Sequence, residues 1–225
     1  MSFLIFSKLK SKKQAGFTLL ELMVVVFIVT VIFSVILRRQ STFQDKFKVD
    51  EKIYDLALSI RKAQAYTLGV REFYCASNGT KTFDVSYGVN LNANSAADTG
   101  RFIFFIDANQ DAKYNDASQS CYTETITLST PGIDRICGVL ASGGTRCYSP
   151  LTGSHSSGPR QINIVYQRPD PKPVINFLNS GGNPIAGINP PAYAYFKYPN
   201  QSGEARVAVE STGQVSIIYC STTCP

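Results

Sequence analysis

Hydrophobic positions along this chain change their spacing twice. From Phe17 to Leu37 the sequence FTLLELMVVVFIVTVIFSVIL is almost unbroken in its apolarity and carries one charge, Glu21. That is about the length at which a helix crosses a bilayer. It exceeds the apolar core of a secretory signal peptide, and Arg38-Arg39 follows with no small-residue cleavage pattern, so the run predicts a membrane anchor. Basic residues flank both ends, and charge bias alone leaves the orientation open. Beyond Arg39 the period becomes helical. Val49, Ile53, Leu56, Ala57, Ile60, Ala63 and Thr67 recur three or four residues apart, with Lys, Asp, Glu and Gln between them. This predicts an amphipathic face that packs on a sheet or a neighbour. Gly69 is expected to end the helix in the left-handed conformation. One helix from about Phe17 to Leu68 would then be roughly 75–80 Å long.

From Val70 the helical period disappears. Short β-rich runs alternate with Gly, Asn, Pro and Ser. The predicted strands are Arg71–Ala76, Lys81–Asn90, Arg101–Asp107, Tyr122–Leu128, Arg135–Leu140, Gln161–Gln167, Val174–Leu178, Ala192–Tyr198, Ala205–Val209 and Gln214–Tyr219. Ser142–Gly144, Leu151–Pro159 and Asn179–Pro191 read as loops. The fold class is therefore α+β: a long N-terminal helix, membrane-spanning in its first half and amphipathic in its second, carrying an antiparallel β head. The domain reading is residues 1–16, a basic leader; 17–37, the spanning segment; 38–69, the amphipathic continuation; and 70–225, the β-rich head.

Composition supports a packed body: 44% hydrophobic and 17% charged residues exclude general disorder. The formal charge of +6 is concentrated at the start. Lys8, Lys10, Lys12 and Lys13 precede Gly16, and without them 18 basic side chains face 16 acidic ones. The body thus lacks the charge of a dedicated nucleic-acid binder.

Six cysteines, Cys75, Cys121, Cys137, Cys147, Cys220 and Cys224, all follow the apolar run. An even count there reads as a disulfide framework outside the cytosol. Cys137 with Cys147 and Cys220 with Cys224 are local candidates, which leaves Cys75 with Cys121, although the count alone leaves the connectivity open. Zinc is disfavoured, because there is no CxxC pair and the single histidine, His155, lies in a Ser/Gly-rich stretch. Asp107, Asn109 and Asp111 form D-x-N-x-D, an oxygen-rich loop of the kind that holds Ca²⁺. Ala112 and Ser118 stand where a calcium loop needs glycine and glutamate, and a polar turn explains the same residues. No nucleophile–base spacing, phosphate loop or hydrolase elbow is present, so an enzyme is not expected. Arg160, Arg168 and Lys172 crowd GPRQINIVYQRPDPKP and are candidates for contacting DNA phosphates, with a solvated strand edge as the plainer reading beside Asp170.

Glu21 raises the sharpest question, because an ionised carboxylate in hydrocarbon costs on the order of 2.5 kcal/mol or more at mid-helix. Proximity to the interface is one answer. A cut between Gly16 and Phe17 gives another, by creating an α-amine four residues away. The stretch Gly16-Phe17-Thr18-Leu19-Leu20-Glu21-Leu22, behind a basic leader, resembles the processing site of type IV pilins and type II secretion pseudopilins. The resemblance implies cleavage by a prepilin peptidase, N-methylation of Phe17, and a role for Glu21 in assembly with other subunits. It also implies an inner-membrane assembly platform as partner, lipid as the first environment of the helix, and a head outside the inner membrane. Many major pilins carry a helix-bending proline where Arg38 stands and a glycine where Thr30 stands. Their absence here implies a minor subunit or pseudopilin. FIFFIDANQDAKYND (Phe102–Asp116), VINFLNSGGNP (Val174–Pro184) and ARVAVESTGQVSI (Ala205–Ile217) resemble the GspH/FimT branch.

Overall fold

A computed structural model describes residue 16 and residues 18–69, 72–75, 80–114, 123–128, 132–151, 158–170, 172–199 and 202–224. The chain forms two compact units, divided between Phe43 and Gln44. Helix α1, Leu19–Leu68, contributes to both. In the first unit its residues Leu19–Leu37 have a mean hydropathy of 2.9 and no buried side chain. Nineteen residues at about 1.5 Å each match the hydrocarbon thickness of a bilayer. The two hydroxyls inside the run are satisfied by the helix itself. Thr30 Oγ1 donates to the Val26 carbonyl at 2.7 Å, and Ser34 Oγ to Thr30 at 2.8 Å.

The second unit holds the head. Beyond a small β1–β2 hairpin (Phe73–Cys75, Thr80–Thr82), two five-stranded antiparallel sheets form it. One has the order β5-β4-β3-β8-β9: Thr123–Thr127, Arg101–Asp107, Ser86–Asn92, Gln161–Tyr166 and Pro173–Leu178. The other has the order β12-β11-β10-β6-β7: Val215–Cys220, Glu204–Val209, Ile188–Lys197, Arg135–Leu140 and Thr145–Tyr148. All seven helix positions predicted to face the body, from Val49 to Thr67, are buried. Six of them share one apolar cluster with Val89, Phe104 and Ile164 of the first sheet and Ile136, Phe196 and Val207 of the second. Burying the side chain of Ile53 or Leu56 fully contributes about 1.5–3 kcal/mol each.

Three expectations about the strands change. β7 lies where no strand is predicted, immediately after the Gly143-Gly144 turn, and Cys147 pairs directly with Cys137 across the hairpin. The predicted Lys81–Asn90 strand divides at Phe83–Val85 into β2 and β3. β10 begins at Ile188 inside the expected loop, and the ladder with β6 shifts register between Asn189 and Tyr193, which accommodates Pro190 and Pro191.

Gly69 follows the last helical residue but is not among the glycines with positive φ, so it does not act as a left-handed cap. The work is done from the sheet side. Arg168, just past β8, donates through its guanidinium to the carbonyls of Thr67, Gly69 (2.6 Å) and Phe83 (2.8 Å). The last turn contains no basic residue of its own, so Arg168 supplies both hydrogen bonds and the positive charge that a helix C-terminus favours. Thr67 adds a second tie. Its hydroxyl donates to the Tyr166 carbonyl at 3.1 Å and accepts the Tyr87 N–H at 3.2 Å. Replacing Arg168 by Met is expected to destabilise the head by about 2 kcal/mol or more and lower Tm by about 4–8 °C. Thermal melts of the full chain followed by circular dichroism check this, and an unchanged Tm would remove Arg168 from the capping role.

Candidate functional site

The candidate site is the start of α1, where a polar element meets the apolar run. Gly16 is exposed, and a Cβ built on it meets no atom within 4 Å. Phe17 lies outside the described residues, and with it the geometry of the expected cut. Thr18 is the residue before the first helical turn. Its Oγ1 accepts the N–H of Glu21 at 3.2 Å, and its carbonyl accepts Leu22 N–H at 3.2 Å. Glu21 is the third helical residue and the acid of the first turn. Thr18-Leu19-Leu20-Glu21 is thus the T-x-x-E spacing of a capping box, with the Thr18 half formed. Thr18 is not among the residues expected at the site, although the T-x-x-E spacing marks it in the sequence. An acid at this place also complements the positive end of the helix dipole. Glu21 is exposed, as is every described side chain from Thr18 to Leu37, so a partner meets it on a free surface.

Two cysteine pairs are bonded in the head. Cys137–Cys147 joins neighbouring strands with Cα atoms 4.0 Å apart. Cys220–Cys224 closes the C-terminal loop with Cα atoms 5.4 Å apart. The expected pairing of Cys75 with Cys121 falls outside the described residues, because Cys121 is not among them. Glu204 anchors the last loop. Its carboxylate, buried on β11, accepts the Cys224 N–H and pairs with Arg135 at 2.8 Å. Arg135 in turn stacks 4.1 Å over the Tyr195 ring.

The D-x-N-x-D loop uses its oxygens locally. Asp107 accepts the N–H of Ala112 at 2.8 Å and of Asp111 at 3.3 Å. Asp111 accepts Lys113 N–H at 2.9 Å and the Asn109 amide at 3.0 Å. Burial pushes the Asp107 carboxyl above its ordinary range, chiefly against the pull of those N–H groups. Gln110 and Ala112 take positive φ, 58° and 56°, which the tight turn requires. Among the described residues no three His, Cys, Asp or Glu side chains gather in a metal-binding group.

Among the basic residues of GPRQINIVYQRPDPKP, Arg160 stands apart, whereas Arg168 and Lys172 share the connection between β8 and β9. Arg160 and Arg168 stand beyond opposite ends of β8. Arg160 stacks 4.1 Å over Tyr148 and donates to its hydroxyl at 2.8 Å, while Arg168 caps α1. Lys172 follows an Asx turn in which Asp170 accepts its N–H at 3.0 Å. The side chains of Arg160 and Arg168 are thus engaged within the head, while the exposed Lys172 contributes only its backbone N–H.

Residues 11–37 match the family of the prokaryotic N-terminal methylation motif. The match covers Gly16, Phe17, Glu21 and the apolar span, 27 of the 225 residues, and supports a type IV pilin-like or pseudopilin-like protein. It implies processing by a prepilin peptidase and assembly with other pilin subunits, and it points to a structural protein rather than an enzyme. With the exposed apolar helix it indicates membrane anchoring. No curated protein and no solved structure matches the chain.

Proposed function

We propose that this chain is a minor pilin or pseudopilin of the GspH/FimT kind, cut between Gly16 and Phe17 and N-methylated on Phe17. Residues 19–37 hold it in the cytoplasmic membrane as a single span with the head on the outer side. The same helix then packs among its neighbours when an inner-membrane platform builds the pilus or pseudopilus. The observation that carries this reading is an apolar helix, capped by Thr18 and exposed from Leu19 to Leu37, that lies within the methylation motif. The two disulfides support a head in an oxidising compartment. Absence of proline from Phe17 to Leu68, and the Arg38 and Thr30 positions, support a minor rather than a long-fibre subunit. Glu21 serves as the charge that sets docking depth, since any other register leaves it unpaired in an apolar bundle. The separate reading, a fibre-tip module that grips DNA, is weakened because the guanidinium groups of Arg160 and Arg168 are engaged by Tyr148 and the end of α1.

Intact-mass and N-terminal analysis of protein taken from its own membranes tests the proposal. The expected product begins with N-methylphenylalanine at Phe17. Mature protein that begins at Met1 would overturn it.

A further inference from the structure

Lys46, Asp50 and Tyr54 recur every fourth residue along α1 and so share one flank of the helix. That flank meets two strand ends from far away in sequence. Tyr198 stands just past β10, and Tyr219 is the penultimate residue of β12. Together they line a groove of about 790 Å³, a size typical of ligand sites. Tyr54 and Tyr219 are 57% and 50% exposed and belong to none of the apolar clusters, so the core does not account for them.

The groove is organised before any ligand arrives. The Tyr198 hydroxyl donates to one oxygen of Asp50 at 2.6 Å, and the other oxygen has no hydrogen-bond partner among the described residues. The Tyr54 hydroxyl meets that of Tyr219. Burial first, and these contacts second, push the Tyr198 and Tyr219 hydroxyls above their ordinary range, so both keep their protons. The Cys220–Cys224 disulfide fixes the rim at Cys220 and Ser221. Gly203 keeps the groove open. A Cβ there would stand 3.1 Å from the Cys220 carbonyl and 3.5 Å from the Tyr198 ring, both of which line it. Gly203 is not among the glycines with positive φ, so what the position needs is the space. Groups held in place in this way lose little entropy on binding.

Charge narrows the ligand. Among the described lining residues the one cation, Lys46, stands a helical turn from the one carboxylate, Asp50, so the groove is close to neutral and selects neither an anion nor a cation. An added peptide strand finds the edge of β12 flanked by α1, where Arg61 donates to the Val215 carbonyl at 3.2 Å. What fits is a ligand that alternates apolar C–H faces with hydroxyl groups. We propose that this groove binds a neutral oligosaccharide, with pyranose rings laid against Tyr54 and Tyr219 and sugar hydroxyls donating to Asp50. The C–H face of a pyranose is slightly positive, and the negative face of an aromatic ring attracts it. Tyrosines supply such contact as rigid, amphipathic surface. Asp50 is a charge-assisted acceptor, while Ser202, Ser221 and Lys46 offer further hydroxyl and ammonium partners around the groove. This inference goes beyond the fibre reading and does not rest on it.

Saturation-transfer NMR on the full chain tests it, in a polyoxyethylene detergent that carries no sugar of its own. The probes are cellotetraose, maltotetraose and tetra-N-acetylchitotetraose at millimolar concentration. At least one should receive saturation, most strongly at its ring C–H protons. Tyr54→Ala and Tyr219→Ala should each raise the Kd for that sugar by at least about tenfold. Leu58→Ala, at an exposed position one turn farther along α1 and outside the groove, should leave it unchanged. Asp50→Asn keeps an acceptor for Tyr198 but removes the charge, and should raise the Kd about threefold or more. Near-UV circular dichroism checks the fold of each variant, and Asp50→Asn carries the test alone if the alanine variants unfold. Saturation of none of the probes overturns the proposal. So does binding that the folded groove variants leave unchanged, which would place the sugar elsewhere. Displacement of the sugar by inorganic phosphate or choline chloride at equal concentration overturns it too, by assigning the groove to a charged ligand.

Discussion

Gly16→Leu should insert into the membrane as wild type does yet persist as the uncut precursor, with processed product reduced at least about 100-fold. The structure makes this a clean test of recognition. Gly16 is exposed and has no neighbour within 4 Å of an added Cβ, so the substitution disturbs no packing in the chain. Thr18 still caps α1, and the span Leu19–Leu37 keeps its hydropathy. Any loss must then arise where the peptidase reads the residue. A site shaped for a missing side chain discriminates by about 10- to 200-fold per excess methylene or methyl group, and leucine adds several. Immunoblots of membrane fractions separate precursor from product by size. Equal processing of Gly16→Leu would move the cut elsewhere and remove the assigned junction, whereas loss of the protein from the membrane would show that Gly16 serves insertion instead.

Much of the fold was legible because burial imposes a period on the residues. The helix face from Val49 to Thr67 was readable as an alternation of three and four, and every one of those side chains is buried. β4 and β6 keep their predicted bounds, Arg101–Asp107 and Arg135–Leu140, since each is a dense apolar run between turn signals. What stayed hidden depends on partners far away in sequence. TRCY is too short and too polar to announce β7, which forms because β6 offers it an edge. The division into two sheets is equally remote from local pattern. β8 returns to pair with β3, and β10 returns to pair with β6. From its sequence neighbours Arg168 reads as a solvated edge residue or a candidate phosphate contact, while its task is set by Thr67 and Gly69, about a hundred residues earlier. At the candidate site the balance reverses. Gly16, Phe17, Glu21 and the apolar run form one contiguous motif, and its local chemistry was available without tertiary contacts.

Glu21→Gln and Glu21→Ala together should separate the two roles that the structure allows this residue. As the third residue of α1, Glu21 gives its N–H to Thr18 Oγ1, an interaction that any residue there retains, and its side chain suits the return half of a capping box. Glutamine fills that position as glutamate does, so Glu21→Gln preserves the cap and deletes the charge. Alanine deletes both, at a helix cost of about 1 kcal/mol at most, which the long apolar span absorbs without leaving the membrane. Under the register reading, both variants reach the membrane at wild-type levels and both fall out of sheared fibres by at least about tenfold. The reason is that the charge marks depth: in an apolar bundle an unpaired carboxylate costs on the order of 2.5–3.5 kcal/mol, about two decades in the populations of competing registers. With the charge gone, neighbouring depths along the exposed run from Leu19 to Leu37 become nearly equivalent, because that surface is apolar apart from Thr30 and Ser34, whose hydroxyls are bonded to the helix itself. Quantifying the chain in sheared fibres against the membrane pool decides between the roles. Normal assembly of Glu21→Gln with failure of Glu21→Ala would assign Glu21 to helix capping alone, and normal assembly of both would leave the register without its charge.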